Sequence, residues 1–409
     1  MEFRDYQKAI IYKGKEILNK YKFLYLAMEV RTGKTLTSLG IAQEMNVEHV
    51  LFITKKKAIS SITEDMKMLC PSFVMYTINY ESLHKIPKVK WDLIIVDEAH
   101  SMGACPKPSG RAKKVGDLIR KCRPYVILMS GTPTPESYSQ MYHQVYAIPN
   151  NPFSRYRNFY RFADDYVNKK EKFINGRRIN DYSDGKVDIV NKMNKYTINY
   201  TQKQAGFVSN IKEHMLHVPV DDTIYDMVDF LRKHRVLELS GGRVILADTP
   251  VKLMQKVHQL FSGTCKFEDG SSDVLDDSKA IFIKNRFKGN KIGIFYKFKE
   301  ELNALKQVFG DELTTDLEEF QSHPTKSIAL QIVSGREGLS LRHAKFLVYY
   351  NIDFSATSYW QSRDRMTTKE RANNEVFWVF AAHGIEDKIY RAVTAKKNYT
   401  LQHFKHDFI

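Results

Sequence analysis

Cysteine is scarce in this chain, and the four that occur, Cys70, Cys105, Cys122 and Cys265, are scattered with no Cys-x-x-Cys pair among them. That spacing speaks against a zinc site or a disulfide framework and makes a reducing compartment the default. No apolar run is long enough to cross a bilayer, the longest being of strand length, so no membrane association is expected. The opening Met1-Glu2-Phe3-Arg4-Asp5 lacks the basic-then-apolar build of a secretory signal, and a cytoplasmic location follows as the expectation, that of a host cell if the chain is viral. Low-complexity tracts and sequence repeats are missing, and the acids between Glu268 and Asp277 lack calcium-loop spacing. Acidic residues are in short supply: 47 Asp and Glu against 63 Lys and Arg leave a formal charge of +16. Such an excess suits a polyanion, nucleic acid above all, because cations that neutralise phosphates release counterions. With 409 residues, 43% of them hydrophobic, the chain is long enough for two or three packed domains.

Two short strings stand out against this background. Arg31-Thr32-Gly33-Lys34-Thr35 closes an apolar stretch from Phe23 to Ala27 and opens a helix-like run from Leu36 to Met45. Strand, tight loop and helix is the context a phosphate cradle needs: backbone N–H groups face phosphate oxygens, Lys34 adds a point charge, and the Thr35 hydroxyl can sit on magnesium. Met28 stands where the first glycine of the Walker pattern belongs. The second string, Asp97-Glu98-Ala99-His100, follows the buried-strand pattern Leu93 to Val96, so its acids emerge at the carboxyl edge of a parallel sheet, where open α/β sheets bind ligands. One carboxylate can hold the metal and the next can orient or deprotonate a water aimed at the γ-phosphate. Either string alone is common; in order, each after an apolar strand, they point to nucleotide hydrolysis.

Strand-like and helix-like runs alternate through the first part: Lys22 to Ala27, Val50 to Thr54, Ile59 to Leu69, Phe73 to Ile78, Leu93 to Val96, Asp117 to Lys121 and Tyr125 to Met129. This rhythm predicts a doubly wound parallel sheet. From Tyr138 to Lys203 the chain turns rich in Tyr, Arg, Lys and Asn. Its stretch Phe153 to Phe162 interleaves bases with aromatics, which fits either a stacking surface for nucleic acid or, the favoured reading, an amphipathic helix with aromatic core contacts. Helices are predicted over Ile224 to Glu238 and Thr249 to Phe261, with a turn at Ser240-Gly241-Gly242 between them. A second α/β unit begins at Lys291 to Tyr296 and continues with a helix from Lys299 to Val308 and strands at Ile328 to Val333, Phe346 to Tyr350 and Val376 to Ala381. It carries Ser334-Gly335-Arg336-Glu337-Gly338-Leu339-Ser340-Leu341 after one strand and Gln361-Ser362-Arg363-Asp364-Arg365 after another. Glycines there allow close backbone approach to phosphate or ribose, and an arginine on a second domain can supply transition-state charge when a cleft closes.

With these motifs the chain resembles the superfamily 2 helicase-type ATPases, nearest the Snf-type DNA translocases related to chromatin remodellers, including compact phage and bacterial forms. The likeness spans nearly the whole chain. Phe3-Arg4-Asp5-Tyr6-Gln7 is similar to the opening motif, making Gln7, with Arg4, the implied adenine contact. Glu29 to Thr35 matches the phosphate loop, with Arg31 in place of a usual glycine. Thr54-Lys55, Tyr80-Glu81-Ser82-Leu83 and Ser334 resemble strand-contacting positions, and Ser130-Gly131-Thr132-Pro133 resembles the motif coupling the metal site to the moving domain. Gly338 to Leu341 and Gln361 with Arg365 match the last two motifs, and Gly384 to Ile389 resembles a run that follows them. A second arginine expected three residues after Arg365 is replaced by Thr368.

The resemblance implies an α/β fold of two RecA-like doubly wound parallel-sheet domains with a helical insertion between them: 1–150 binding ATP, 151–265 the insertion and linker, and 266–409 the second domain. It implies a monomeric motor using ATP and Mg2+. Thr32, Gly33, Lys34, Thr35, Gly338, Gln361 and Arg365 would contact nucleotide, Thr35 and Asp97 the metal, and Glu98 the attacking water. Arg365 is the implied finger, and duplex or branched DNA the implied track. The competing readings are a DExH-type RNA helicase, to which His100 also conforms, and a regulatory nucleic-acid-binding protein with an inactive nucleotide pocket. A protein partner on the 138–203 segment is compatible with all of them.

Overall fold

The apolar runs become two parallel sheets in the computed structural model, which describes residues 2–174, 177–206, 210–239, 241–335, 341–363, 365, 373–395 and 397–408. Contacts divide the chain into two units, Met1–Phe207 and Val208–Ile409. The first sheet runs Val74–Asn79, His49–Thr54, Leu93–Val96, Tyr125–Met129, Phe23–Met28, Thr197–Tyr200, every neighbouring pair parallel. Its central strands are apolar on both faces, because helices cover each side. On one face the helix Asp5–Tyr21 packs on Lys34–Glu44, and glycines set how closely. A Cβ on Gly14 would lie 2.6 Å from Ile41, and one on Gly40 2.5 Å from Ile11.

The second sheet runs Leu313–Thr314, Ser327–Gln331, Ile292–Tyr296, Phe346–Tyr349, Asn373–Ala381, Asn210–Val218, again all parallel. Two of these twelve strands come from the segment 151–265: Thr197–Tyr200 extends the first sheet beside the phosphate-loop strand, and Asn210–Val218 extends the second. Before them lie the helix Phe159–Tyr166, the hairpin Lys170–Ile174 with Arg177–Asp181, and the short helix Asp188–Met193. Of the five aromatics in 153–162, Phe153, Tyr156, Phe159 and Phe162 are buried and Tyr160 is exposed, so the core-contact reading holds for four rings, although the helix begins only at Phe159.

The helix predicted over 224–238 is Asp222–His234; Arg235 takes φ +68, and Val236–Glu238 pairs antiparallel with Val244–Leu246 around Gly241-Gly242. The strand predicted over 328–333 ends at Gln331, and Ile332–Gly335 is a single helical turn. Among the described residues no helix is long and apolar enough to cross a membrane.

Candidate active site

In the first unit every loop leaving a strand's carboxyl end emerges on one edge, which brings together residues far apart in sequence. After Met28 the chain makes a tight loop: Arg31 has φ +62 and Gly33 φ +78, and Gly33 caps the helix Lys34–Glu44. Both angles lie in the left-handed region that glycine tolerates, so arginine at 31 costs about 1 kcal/mol. The first N–H groups of a helix have no partner within it and face a bound anion favourably. Thr32 is buried, its hydroxyl donating to the Glu29 carbonyl at 2.7 Å, and the Lys34 ammonium donates to the same carbonyl at 3.1 Å. Thr35 is half-buried in the first turn of the helix.

The loop is held from two sides. Gln7 is buried and turned inward: its Nε2 donates to the Gly33 carbonyl and to Thr37 Oγ1, each at 3.4 Å, and its Oε1 accepts from the Arg4 N–H at 3.1 Å. The Tyr6 hydroxyl donates to the Thr32 carbonyl at 3.1 Å, and its ring stacks on Tyr200, centroids 4.7 Å apart. From the other side, the Gln202 N–H donates to the Glu29 carboxylate at 2.7 Å and its amide to the Val30 carbonyl at 3.0 Å. Sequence reasoning missed Tyr200 and Gln202. Their only local signal is a four-residue strand, Thr197–Tyr200, too short and too polar to stand out.

The acidic cluster lies at the ends of the neighbouring strands. Asp97 is buried beside Glu98, and burial, reinforced by the Glu98 charge, pushes its carboxyl up to about 6 against the opposing pull of Lys34 and the Thr54 hydroxyl. Glu98 sits at φ +51, a strained conformation for a side-chain-bearing residue and one that clusters at functional sites. His100 Nδ1 lies 3.2 Å from Glu98 Oε2 and 2.9 Å from Ser130 Oγ, and Ser130 Oγ accepts the Thr132 N–H at 3.1 Å. A Cβ on Gly131 would stand 3.7 Å from Lys34 Nζ and 3.5 Å from the Met28 carbonyl, so the 130–132 segment lies against the phosphate loop. Lys34, Asp97, Glu98 and Ser130–Thr132 thus form one cluster.

Two expected strand-contacting residues are turned elsewhere. Thr54 is fully buried and donates its hydroxyl to Asp97 Oδ2 at 2.9 Å; Tyr80 is 1% exposed and donates its hydroxyl to the Asp97 carbonyl. Neither side chain is available to a polynucleotide, because each satisfies a buried acceptor whose desolvation would otherwise be uncompensated. Lys55 is half-buried, and Lys56 and Lys57 beside it are exposed. In the second unit Gln361 is buried on the helix Ala356–Arg363, and Arg365 is half-buried, its carbonyl accepting the Leu341 N–H at 3.0 Å. Leu341 and Arg365, one from each of the last two motifs, therefore meet. Arg363 is committed to the fold, bonded to Glu213 at 3.0 Å with its guanidinium 4.5 Å from the Trp360 ring centre. Ser334 lies in the turn after Gln331, and Gly338 and Thr368 fall outside the described residues.

The SNF2-related domain family matches residues 25–259. A stretch of 127 residues is 30% identical to the SWI/SNF-related matrix-associated actin-dependent regulator of chromatin subfamily A-like protein 1 homolog of Caenorhabditis elegans, covering 30% of this chain and 17% of that relative. Among solved structures, the Hef helicase domain of Pyrococcus furiosus has a TM-score of 0.52 at 12% identity, over 96% of this chain and 98% of that one, a likeness of fold. The SWI2/SNF2 ATPase core of Sulfolobus solfataricus in complex with dsDNA has a TM-score of 0.42 at 14% identity, over 97% and 91%.

Proposed function

Since the chain belongs to the SNF2-related domain family, we propose that it hydrolyses ATP at the strand-end cluster of the first unit and uses the cycle to move along duplex DNA. The observation that carries this is the convergence of Lys34, Asp97, Glu98 and the 130–132 segment at one sheet edge, beside a loop with left-handed φ at Arg31 and Gly33. Helix N–H groups and Lys34 bind the phosphates; Arg4 serves the adenine side, while Gln7, expected there too, is bonded inward and braces the loop instead. The donor set suits magnesium, since Asp97 offers a carboxylate and Thr35 a hydroxyl, both hard oxygens, and a carboxyl raised by burial beside a second acid gains from a cation. That ion would neutralise charge on the transferring phosphate. Glu98 accepts the proton of the attacking water and is aimed by His100. His100 Nδ1, 3.2 Å from that carboxylate, is itself hydrogen-bonded to Ser130, which accepts from the Thr132 N–H, so the imidazole stands between Glu98 and the coupling segment. Arg365 supplies positive charge to the transition state.

The test is phosphate release measured alone and with single strands, duplex DNA or RNA. Duplex DNA is expected to stimulate most; equal rates throughout would defeat the motor reading, and stimulation by RNA alone would favour an RNA helicase. Glu98→Gln should lower turnover by at least about 10²-fold while keeping ATP binding. Loss of binding instead would mean that Glu98 serves the nucleotide rather than the water. Displacement of a triplex-forming strand then reports movement along duplex without demanding unwinding.

A further inference from the structure

We propose that a cleft in the first unit, built from none of the strand-end residues, docks an acidic peptide segment of a partner protein through one aromatic anchor. The cleft measures about 320 Å³ and lies among the helices Gly110–Cys122, Met141–Val145 and Phe159–Tyr166 and the loop at Pro106–Pro108. Its floor is carbon, formed by the buried Ala112, Tyr142 and Phe159. Beside them stand Tyr146 and Tyr160, 42% and 47% exposed, two large rings left in water at the mouth of an apolar hollow. Scattered exposed rings need no explanation, but rings grouped around a concavity mark a binding site.

The charge around the hollow is of one sign. Lys107, Lys113, Arg120 and Arg157 line it, and among the described residues no carboxylate does. Arg120 is held by Asp117 at 2.6 Å, whereas the other three, all exposed, have no ion-pair partner among the described residues. An apolar hollow ringed by free cations is complementary to a hydrophobic side chain flanked by acids, the anchor filling the pocket and the acids setting orientation and encounter rate.

A polynucleotide fits the same charges less well. Base binding needs open ring faces on which to stack. Here the Phe159 ring is stacked on His143, centroids 5.6 Å apart, and takes Tyr160 and Tyr182 edge-on, so the floor's faces are occupied. What remains open is a concavity of side-chain size rather than a groove that tracks a backbone.

The experiment uses the full chain and a fluorescein-labelled nonapeptide with a central phenylalanine between two runs of four acidic residues, read by fluorescence polarisation. Saturable binding with a Kd of about 10–100 μM is expected, weakened at least about tenfold when serine replaces the phenylalanine. The double variant Lys113→Glu/Arg157→Glu should weaken it at least about tenfold, and Tyr160→Ser, which leaves the charges intact, several-fold, with melting temperature and basal phosphate release unchanged. Failure of the peptide to bind would overturn the proposal. So would equal binding of the serine peptide, which would reduce the effect to unspecific charge attraction. Displacement of the peptide by a twelve-nucleotide single strand whose own affinity falls in the double variant would assign the cleft to nucleic acid instead.

Discussion

Thr54 donates to Asp97 from the neighbouring strand at 2.9 Å, so the carboxylate proposed to hold magnesium is aimed by a side chain that never needs to meet a ligand. Thr54→Val keeps the shape and removes that donor. It should destabilise the first unit by about 1.5–3 kcal/mol, the range for hydrogen bonds to charged groups, and raise the magnesium concentration for half-maximal ATP hydrolysis several-fold. An unchanged magnesium requirement would mean that Asp97 is held well enough by its other contacts. In the second unit, His258 is fully buried, with Nε2 2.6 Å from Asn351 Oδ1. The Asn351 amide in turn donates to Glu301 at 2.6 Å. Burial, with Lys297 and Lys279 adding repulsion, holds the imidazole well below its ordinary 6.5, the Asn351 bond opposing only in part. The unfolded chain therefore takes up a proton below 6.5 that the folded chain refuses, and stability falls as pH drops through that value. The slope for one such proton approaches about 1.4 kcal/mol per pH unit. His258→Gln should flatten urea-unfolding stability between pH 6.5 and 5 relative to the unmutated chain, and an unaltered slope would place the proton uptake elsewhere.

Glu213 shows how an edge element is fastened. Its strand, Asn210–Val218, is largely exposed, yet this one carboxylate accepts from the Tyr359 hydroxyl at 2.7 Å, Arg363 at 3.0 Å, the Trp378 indole at 2.8 Å and the Tyr390 hydroxyl at 2.9 Å. It thereby ties the strand to its neighbour and to the helices Ala356–Arg363 and Glu386–Thr394. Glu213→Ala strands four donors at once and should cost about 3–5 kcal/mol. The loss should appear as an earlier transition in tryptophan emission from Trp360 and Trp378, while Trp91 in the other unit reports an unshifted one. A single coincident shift of all three would show that the units unfold together. Such an edge strand is hard to read in advance, because its alternation is polar on both faces and its decisive residue is an acid. The central strands were legible for the opposite reason: buried on both faces, they are continuous apolar runs, and Leu93–Val96 and Tyr125–Met129 were found to the residue. The phosphate loop and the acid pair were legible through their place after such runs. The roles of Thr54 and Tyr80 were not, since a strand position does not tell which buried acceptor a hydroxyl will find, and neither were the buttresses Tyr200 and Gln202, which reach the loop from more than 170 residues away.

The whole chain carries a formal charge of +16, and a magnesium nucleotide accounts for little of it. If the excess exists to hold a phosphate backbone, affinity must depend steeply on salt, because each phosphate neutralised returns a condensed counterion to solution. A footprint of six to ten phosphates loses about 10³–10⁵ in affinity between 50 and 200 mM salt, a log–log slope of about −5 to −9 on duplex DNA. Titrating a labelled duplex across that range measures the slope directly and needs no assumption about turnover. A slope near −1 would mean that the basic surface merely keeps the chain soluble. Repeating the titration with Lys113→Glu/Arg157→Glu separates two uses of the same charge. Cations on the DNA track lower the slope when removed, by about 0.9 each, whereas cations serving a peptide cleft leave it unchanged. We expect the slope to survive that double reversal, since the cleft's apolar floor and occupied ring faces suit a side chain better than a backbone.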